Sequence, residues 1–296
     1  MSAKTTVMLG LRIVVLTFLL FACHSIASVT VSLTDSAQTA DPMGATVTLL
    51  IMCALQTTVL SYPIIRSRWT GWRLVITMFF VFYGMMTFLS QIETVVFLQY
   101  FEDIVPVEET PKLFMQGAIT AALFSPLAVL IHGKMKGVEE SQEPSRRPVM
   151  PWTEWIWKLM LIAVIYVFIY ISFGMFVCMP LAGEAFQEYY ADLQLPAWIL
   201  PFQMVRGMIW AALALPVIRM MKGRWWEAGL AVALLFSVLM GSLLLVPTEF
   251  MPEAMRMAHL VEITSSNFLF GWIVVWLLNR HHGSLRELFQ WSKGTG

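Results

Sequence analysis

Charge is what this sequence has least of: Asp, Glu, Lys and Arg make up 13% of its 296 residues, about half the share of an ordinary soluble domain. That scarcity excludes a typical water-soluble globule. Cysteine is scarce too, and the three present, Cys23, Cys53 and Cys178, are odd in number and lie inside apolar segments. They make no disulfide framework and read as small buried hydrophobes. Signature motifs are missing as well: there is no phosphate-binding glycine loop, no H-E-x-x-H and no G-x-S-x-G. ATP-driven and serine-hydrolase chemistry are thereby set aside. Short segments of alternating polarity are also absent, which argues against a transmembrane β-barrel.

What is present is apolar. Hydrophobic residues form 58% of the chain and the mean hydropathy is +0.71. A helix needs about 20 apolar residues to cross about 30 Å of hydrocarbon. Eight segments qualify, near 7–30, 44–65, 72–98, 112–132, 155–180, 197–220, 227–246 and 255–278. The fold class expected is all-α, a polytopic membrane helix bundle. A cleaved signal peptide ending near Ser36–Ala40 competes for the first segment, although its apolar run is longer than usual.

The basic residues orient the bundle. Sixteen of the 19 fall on one side: Lys4, Arg12, Arg66, Arg68, Arg73, the stretch from Lys134 to Lys158, then Arg219 to Arg224 and Arg280 to Lys293. The opposite loops carry Asp35, Asp41, Glu102, Asp103, Glu108, Glu109, Glu184, Glu188, Asp192, Glu249 and Glu253, with Lys112 and Arg256 as their basic residues. Lys and Arg near span ends resist translocation, so the basic side and both termini are expected in the cytoplasm, and the membrane to be the plasma (inner) membrane. Trp69, Trp72, Trp152, Trp155, Trp157, Trp225 and Trp226 sit near span ends as interfacial anchors. His281 and His282 read as cytoplasmic flank.

The chain repeats itself. Phe114–Pro126 aligns without gaps to Met204–Pro216 at an offset of 90, with Gln116 opposite Arg206, and Gly133 then meets Gly223. Trp72-Arg73-Leu74-Val75 resembles Trp157-Lys158-Leu159-Met160, and Pro63 before Arg66 echoes Pro216 before Arg219. A helical hairpin of roughly 70 residues, used up to four times, accounts for this and implies a closed bundle with pseudo-rotational symmetry about the membrane normal. The expected organisation is a four-helix half over 1–137, a cytoplasmic linker over 138–151 and a second four-helix half over 152–296.

Ionisable side chains inside hydrocarbon are costly, so those present mark a candidate site. Gln116, Arg206 and Ser266 each lie 17 residues before a glycine at the basic end (Gly133, Gly223, Gly283), which puts them about 25 Å above it at 1.5 Å per residue. Glu93, His24, His259 and Glu262 fall in the same outer third. His259, Glu262 and Ser266 share one helical face, as do Gln203, Arg206 and Trp210, and as do Tyr83, Thr87, Ser90, Glu93 and Thr94. If the first and last spans are neighbours, His24 approaches His259. The expectation is an outward-facing polar chamber lined by His24, Glu93, Gln116, Arg206, His259, Glu262 and Ser266, with Glu262 as the partner of Arg206.

Two functional classes follow, beside a plain structural one. In the first, Arg206, Glu262, His259, Glu93, Gln116 and Ser266 bind a small solute, such as an anion, or couple protons to its transport. In the second, the chain is a membrane enzyme acting on a lipidic or extracytoplasmic substrate, with His24, His259 and Glu262, joined by Glu93, holding zinc or iron, or with His24 and His259 as axial ligands of haem. The third is a structural subunit of a membrane complex. No cofactor at all is the leading expectation. The 21 methionines, among them Met8, Met52, Met78, Met85, Met160 and Met175, are scattered and read as packing. The partners expected are the lipid bilayer, a small-molecule or ion ligand, and an oligomer or partner subunits; nucleic acid is not among them.

Overall fold

A computed structural model describes residues 3–31, 42–97, 109–137, 150–191, 195–248, 251–282 and 284–289. The linker over 138–149 and the acidic Asp35, Asp41, Glu102, Asp103, Glu108, Asp192 and Glu249 lie outside the described residues.

Eight helices are long and apolar enough to cross a membrane: Lys4–Val31, Met43–Ile65, Gly71–Val96, Glu109–Ile131, Trp152–Ala182, Ile199–Met220, Trp225–Leu245 and Glu253–Asn279. These are the first to eighth spans below. No strand occurs among the described residues, apart from a single bridge between Ser67 and Met221. In hydrocarbon no water satisfies a backbone N–H or C=O, so a chain this apolar closes its hydrogen bonds within each helix. Phe80, Phe168 and Phe176 stand exposed on the outer surface, whereas Leu16, Phe82, Phe124, Trp210, Phe236 and Phe270 are fully buried. An apolar shell around an apolar core is the pattern of a bundle immersed in lipid.

The spans pack in a ring. The first lies against the second and fourth, the third against the fourth and sixth, the fifth against the sixth and eighth, and the seventh against the eighth and second. Each odd span thus touches its own hairpin mate and the even span of the next hairpin. The ring closes between the second and seventh spans, not between the first and last, because closure joins an odd helix to an even helix of another hairpin. The seventh span also leans inward onto the third and sixth.

Small residues set the helix spacing. A Cβ on Gly117 would lie 2.0 Å from Thr87 Oγ1, and one on Gly271 would lie 2.8 Å from the Ala233 backbone, so the third and fourth spans and the seventh and eighth pack as closely as glycine allows. At the basic end the loops interlock. Arg68 N–H donates to Met220 O at 2.8 Å and Lys222 N–H to Arg66 O at 2.9 Å, which stitches the second loop to the sixth. Gly223 has φ +83 there, and a Cβ on it would lie 1.7 Å from Glu227 Oε2. The positive φ favours glycine, and any larger residue would also have to push the Glu227 carboxylate aside.

Two spans are broken by a π turn, Gly84–Phe88 in the third and Gly174–Cys178 in the fifth, beginning 90 residues apart. In each, the residue after the turn donates its N–H five residues back, Leu89 to Gly84 O and Met179 to Gly174 O. π turns concentrate at functional sites, and these two stand beside the polar groups of the bundle.

Candidate functional site

The sixth span carries Arg206, whose side chain is 3% exposed. The third span, just past its π turn, supplies what a buried guanidinium needs. Arg206 Nη2 pairs with Glu93 Oε2 at 2.7 Å, Nε donates to Leu89 O at 3.1 Å, and Nη1 donates to Gln203 Oε1 at 3.4 Å. Gln203 Nε2 closes the group by donating to Glu93 Oε1 at 3.2 Å. Leu89 and Glu93 are one helical turn apart, so the carbonyl and the carboxylate address one cation from the same face. Glu93, 26% exposed, forms the mouth of this cluster.

The carboxylate paired with Arg206 is therefore Glu93, not Glu262 as helical phase and depth suggested. The reason is the ring order: the third span packs on the sixth, and the π turn swings its last stretch toward Arg206.

Glu262 belongs to a second cluster, on the fifth and eighth spans. Its Oε2 lies 2.7 Å from His259 Nδ1, and Cys178 Sγ lies 3.5 Å from the same nitrogen. The other ring nitrogen, Nε2, is 2.8 Å from the hydroxyl of Tyr190. Tyr190 follows the short helix Glu184–Tyr189, which caps the site after the turn at Gly183. Around it Cys178, Ala182, Met255 and Ala258 form a small hydrophobic cluster of their own, with Phe186 and Tyr189 packed on it.

Tyrosines stand near both clusters. Tyr170 is within electrostatic reach of Glu93 and Arg206, and Tyr190, bonded to His259, is within that of Glu93 and Glu262. Tyr189, on the cap, has its phenol pushed up by burial and keeps its proton.

The remaining expected residues are placed as follows. His24 stands on the first span beside Gln56 of the second, and Gln56 Nε2 donates to Ser242 Oγ of the seventh at 3.1 Å. His24 is thus not brought into the His259 group, because the spans next to its own are the second and fourth. Among the described residues, the donors close enough to share one metal ion are those of Cys178, His259 and Glu262, all within 4.8 Å of one another. Neither the His24, His259, Glu262 set nor a haem held by His24 and His259 is assembled. Ser266 is buried and its hydroxyl donates to Ile263 O of its own helix at 3.4 Å, while Gln116 is half-buried on the fourth span.

Sequence reasoning missed Cys178, read as a small hydrophobe, and the tyrosines Tyr170 and Tyr190. The phase of His259 and Glu262 on one face was a usable signal for the second cluster; nothing in spacing announced Cys178, because a π turn resets the helical phase. Comparison with protein-family models, with curated proteins and with solved structures gave no match, so function is argued from these side chains alone.

Proposed function

We propose that this chain is a plasma-membrane protein that binds a small anionic solute at Arg206 and couples that binding to protons, as a transporter or solute-binding protein does. One observation carries the reading: a guanidinium sealed in the bundle is held by a carboxylate at the mouth of the site. Protonation of Glu93 removes the charge that holds Arg206, and an anion then takes its place. Proton and anion enter together, so no net charge is added to a low-dielectric interior.

The positive-inside rule puts the basic end and both termini in the cytoplasm and opens the cluster outward; a reporter fused after Gly137 should stay cytoplasmic. The repeated hairpin is supported by three features at the same offset of 90: the paired π turns, the positive φ of Gly133 and Gly223, and the interior prolines Pro126 and Pro216. The ring of contacts adds a fourth. In this reading the two halves, joined by the linker, are two repeats each. A metal-dependent membrane enzyme is the second reading, favoured by the Cys178, His259 and Glu262 donors.

The test is thermal stabilisation of the purified protein in detergent by inorganic phosphate and by succinate. At least one should stabilise the wild type more at pH 5 than at pH 7. Glu93→Gln should respond equally at both values, and Arg206→Ala at neither. An unchanged response in Arg206→Ala sinks the proposal.

A further inference from the structure

We propose that Cys178, His259 and Glu262 form a binding site for one divalent transition-metal ion, with zinc the preferred metal and Tyr190 orienting the histidine. The site stands on residues other than Arg206 and Glu93, so it goes beyond anion binding, and either reading can fail alone.

The geometry is the first argument. A tetrahedral zinc, with Zn–S of about 2.3 Å and Zn–N of about 2.0 Å, sets its sulfur and nitrogen ligands about 3.6 Å apart. Cys178 Sγ and His259 Nδ1 are 3.5 Å apart. Glu262 Oε2 sits closer, 2.7 Å from Nδ1, in the hydrogen bond made when a proton rather than a metal lies between them. A turn of the Glu262 side chain of less than about 1 Å brings its oxygen to the tetrahedral separation.

The second argument is the other side of the ring. A metal-bound histidine normally donates its free N–H to an oxygen, which fixes the tautomer and the ring orientation. Here Nε2 meets the Tyr190 hydroxyl at 2.8 Å, so once a metal replaces the proton on Nδ1, an Nε2–H can donate to that hydroxyl while the Nδ1 lone pair faces the metal. The same contact argues against a cysteine–histidine–carboxylate nucleophile. That arrangement needs the sulfur and the carboxylate on opposite ring nitrogens, and both address Nδ1.

Charge is the third. On binding, the Cys178 S–H gives its proton to solvent as the sulfur–metal bond forms, the proton between Nδ1 and Glu262 passes to Nε2 through solvent exchange so that the imidazole stays neutral, and Glu262 binds as carboxylate. Two negative ligands and one dication sum to zero, which is what a buried site tolerates. Arg206 does not oppose a cation here, since Glu93 neutralises it at 2.7 Å. Thiolate, imidazole and carboxylate together select zinc over magnesium or calcium, and three protein ligands leave a fourth position for water or a ligand. Glu184 and Glu188, exposed on the covering helix, add negative charge at the entrance.

The test uses the full chain, stripped with chelator, in a Cys23→Ala, Cys53→Ala background so that Cys178 is the only thiol. Titration with cobalt should give one equivalent of binding, with the intense d–d absorption of a tetrahedral centre and a thiolate-to-cobalt charge-transfer band that zinc then bleaches. Cys178→Ala should abolish the charge-transfer band, and His259→Ala should weaken zinc binding about 100-fold. Tyr190→Phe should weaken it about tenfold with the spectrum retained, which a merely structural tyrosine would not do. Size exclusion and a melting curve establish that each variant is folded. No charge-transfer band in folded protein, or a band surviving Cys178→Ala, overturns the site.

Discussion

Two buried ion pairs sit toward opposite ends of this bundle, and what separates them is how much of their bonding capacity is already used. At the basic end, Lys158 is 0% exposed and Glu154 3%, with Nζ and Oε1 at 2.7 Å. The three Lys158 N–H groups go to Glu154, to Arg280 O and to Met150 Sδ. Glu154 also takes the His282 backbone N–H at 2.8 Å and the His281 ring. Every donor and acceptor is spent, and the start of the fifth span is tied to the end of the eighth. The Glu93–Arg206 pair is different. Among the described residues, three of the five guanidinium N–H groups find acceptors, one of them in a long 3.4 Å bond to Gln203, and the carboxylate is 26% exposed. A saturated pair is a rivet; an unsaturated pair with one member near water is a site that can exchange partners.

The largest effect should come from breaking the rivet. Lys158→Ala strands a carboxylate with no route to water and should cost about 3–5 kcal/mol, read as loss of folded, monodisperse protein in detergent. Replacing both members by apolar residues, Glu154→Leu with Lys158→Met, should recover most of that loss, since a buried pair is weak net support. If Lys158→Ala melts within a degree or two of the wild type, the two ends are not distinguished by saturation.

The next effect is an asymmetry at the other pair. Glu93→Ala leaves a guanidinium sealed in the bundle and should cost about 2–3 kcal/mol; Arg206→Ala leaves a carboxylate that turns to water and should cost about 1 kcal/mol. Combining the two should recover part of the loss. Arg206→Ala with Glu262→Ala should instead be additive, because Glu262 bonds to His259. Coupling between Arg206 and Glu262 in a melting-temperature cycle would restore the pairing that depth alone suggested.

The contrast also explains what the sequence could and could not disclose. The eight spans were legible because hydrocarbon imposes length and composition on every crossing, and the polar faces of the third, sixth and eighth spans were legible because helical phase is local. The partners were not, since which face meets which depends on ring order and on two π turns that reset phase after Gly84 and Gly174. Lys158 and His281 illustrate the same limit. Both read as charged flank near an interface, and only the meeting of two helix ends gathers them around the buried carboxylate of Glu154.

The smallest expected effect concerns His132, which follows the fourth span at the basic end. It is buried, its Nε2 lies 2.9 Å from Ser61 Oγ, and its pKa is lowered to about 4 by burial and by the positive charge of Arg12. An unfolded histidine titrates near 6.5, so between the two values the unfolded chain holds the extra proton. Stability from this residue is fully present above about pH 6.5 and declines as the pH falls toward 4, by at most about 1.4 kcal/mol per pH unit. Melting temperature should therefore drop for the wild type between pH 7 and pH 5. The drop should be smaller in His132→Gln, which keeps a polar group for Ser61 but cannot charge. An equal drop in both would place the acid sensitivity elsewhere in the bundle, and would make Glu93 and His259 the first residues to replace.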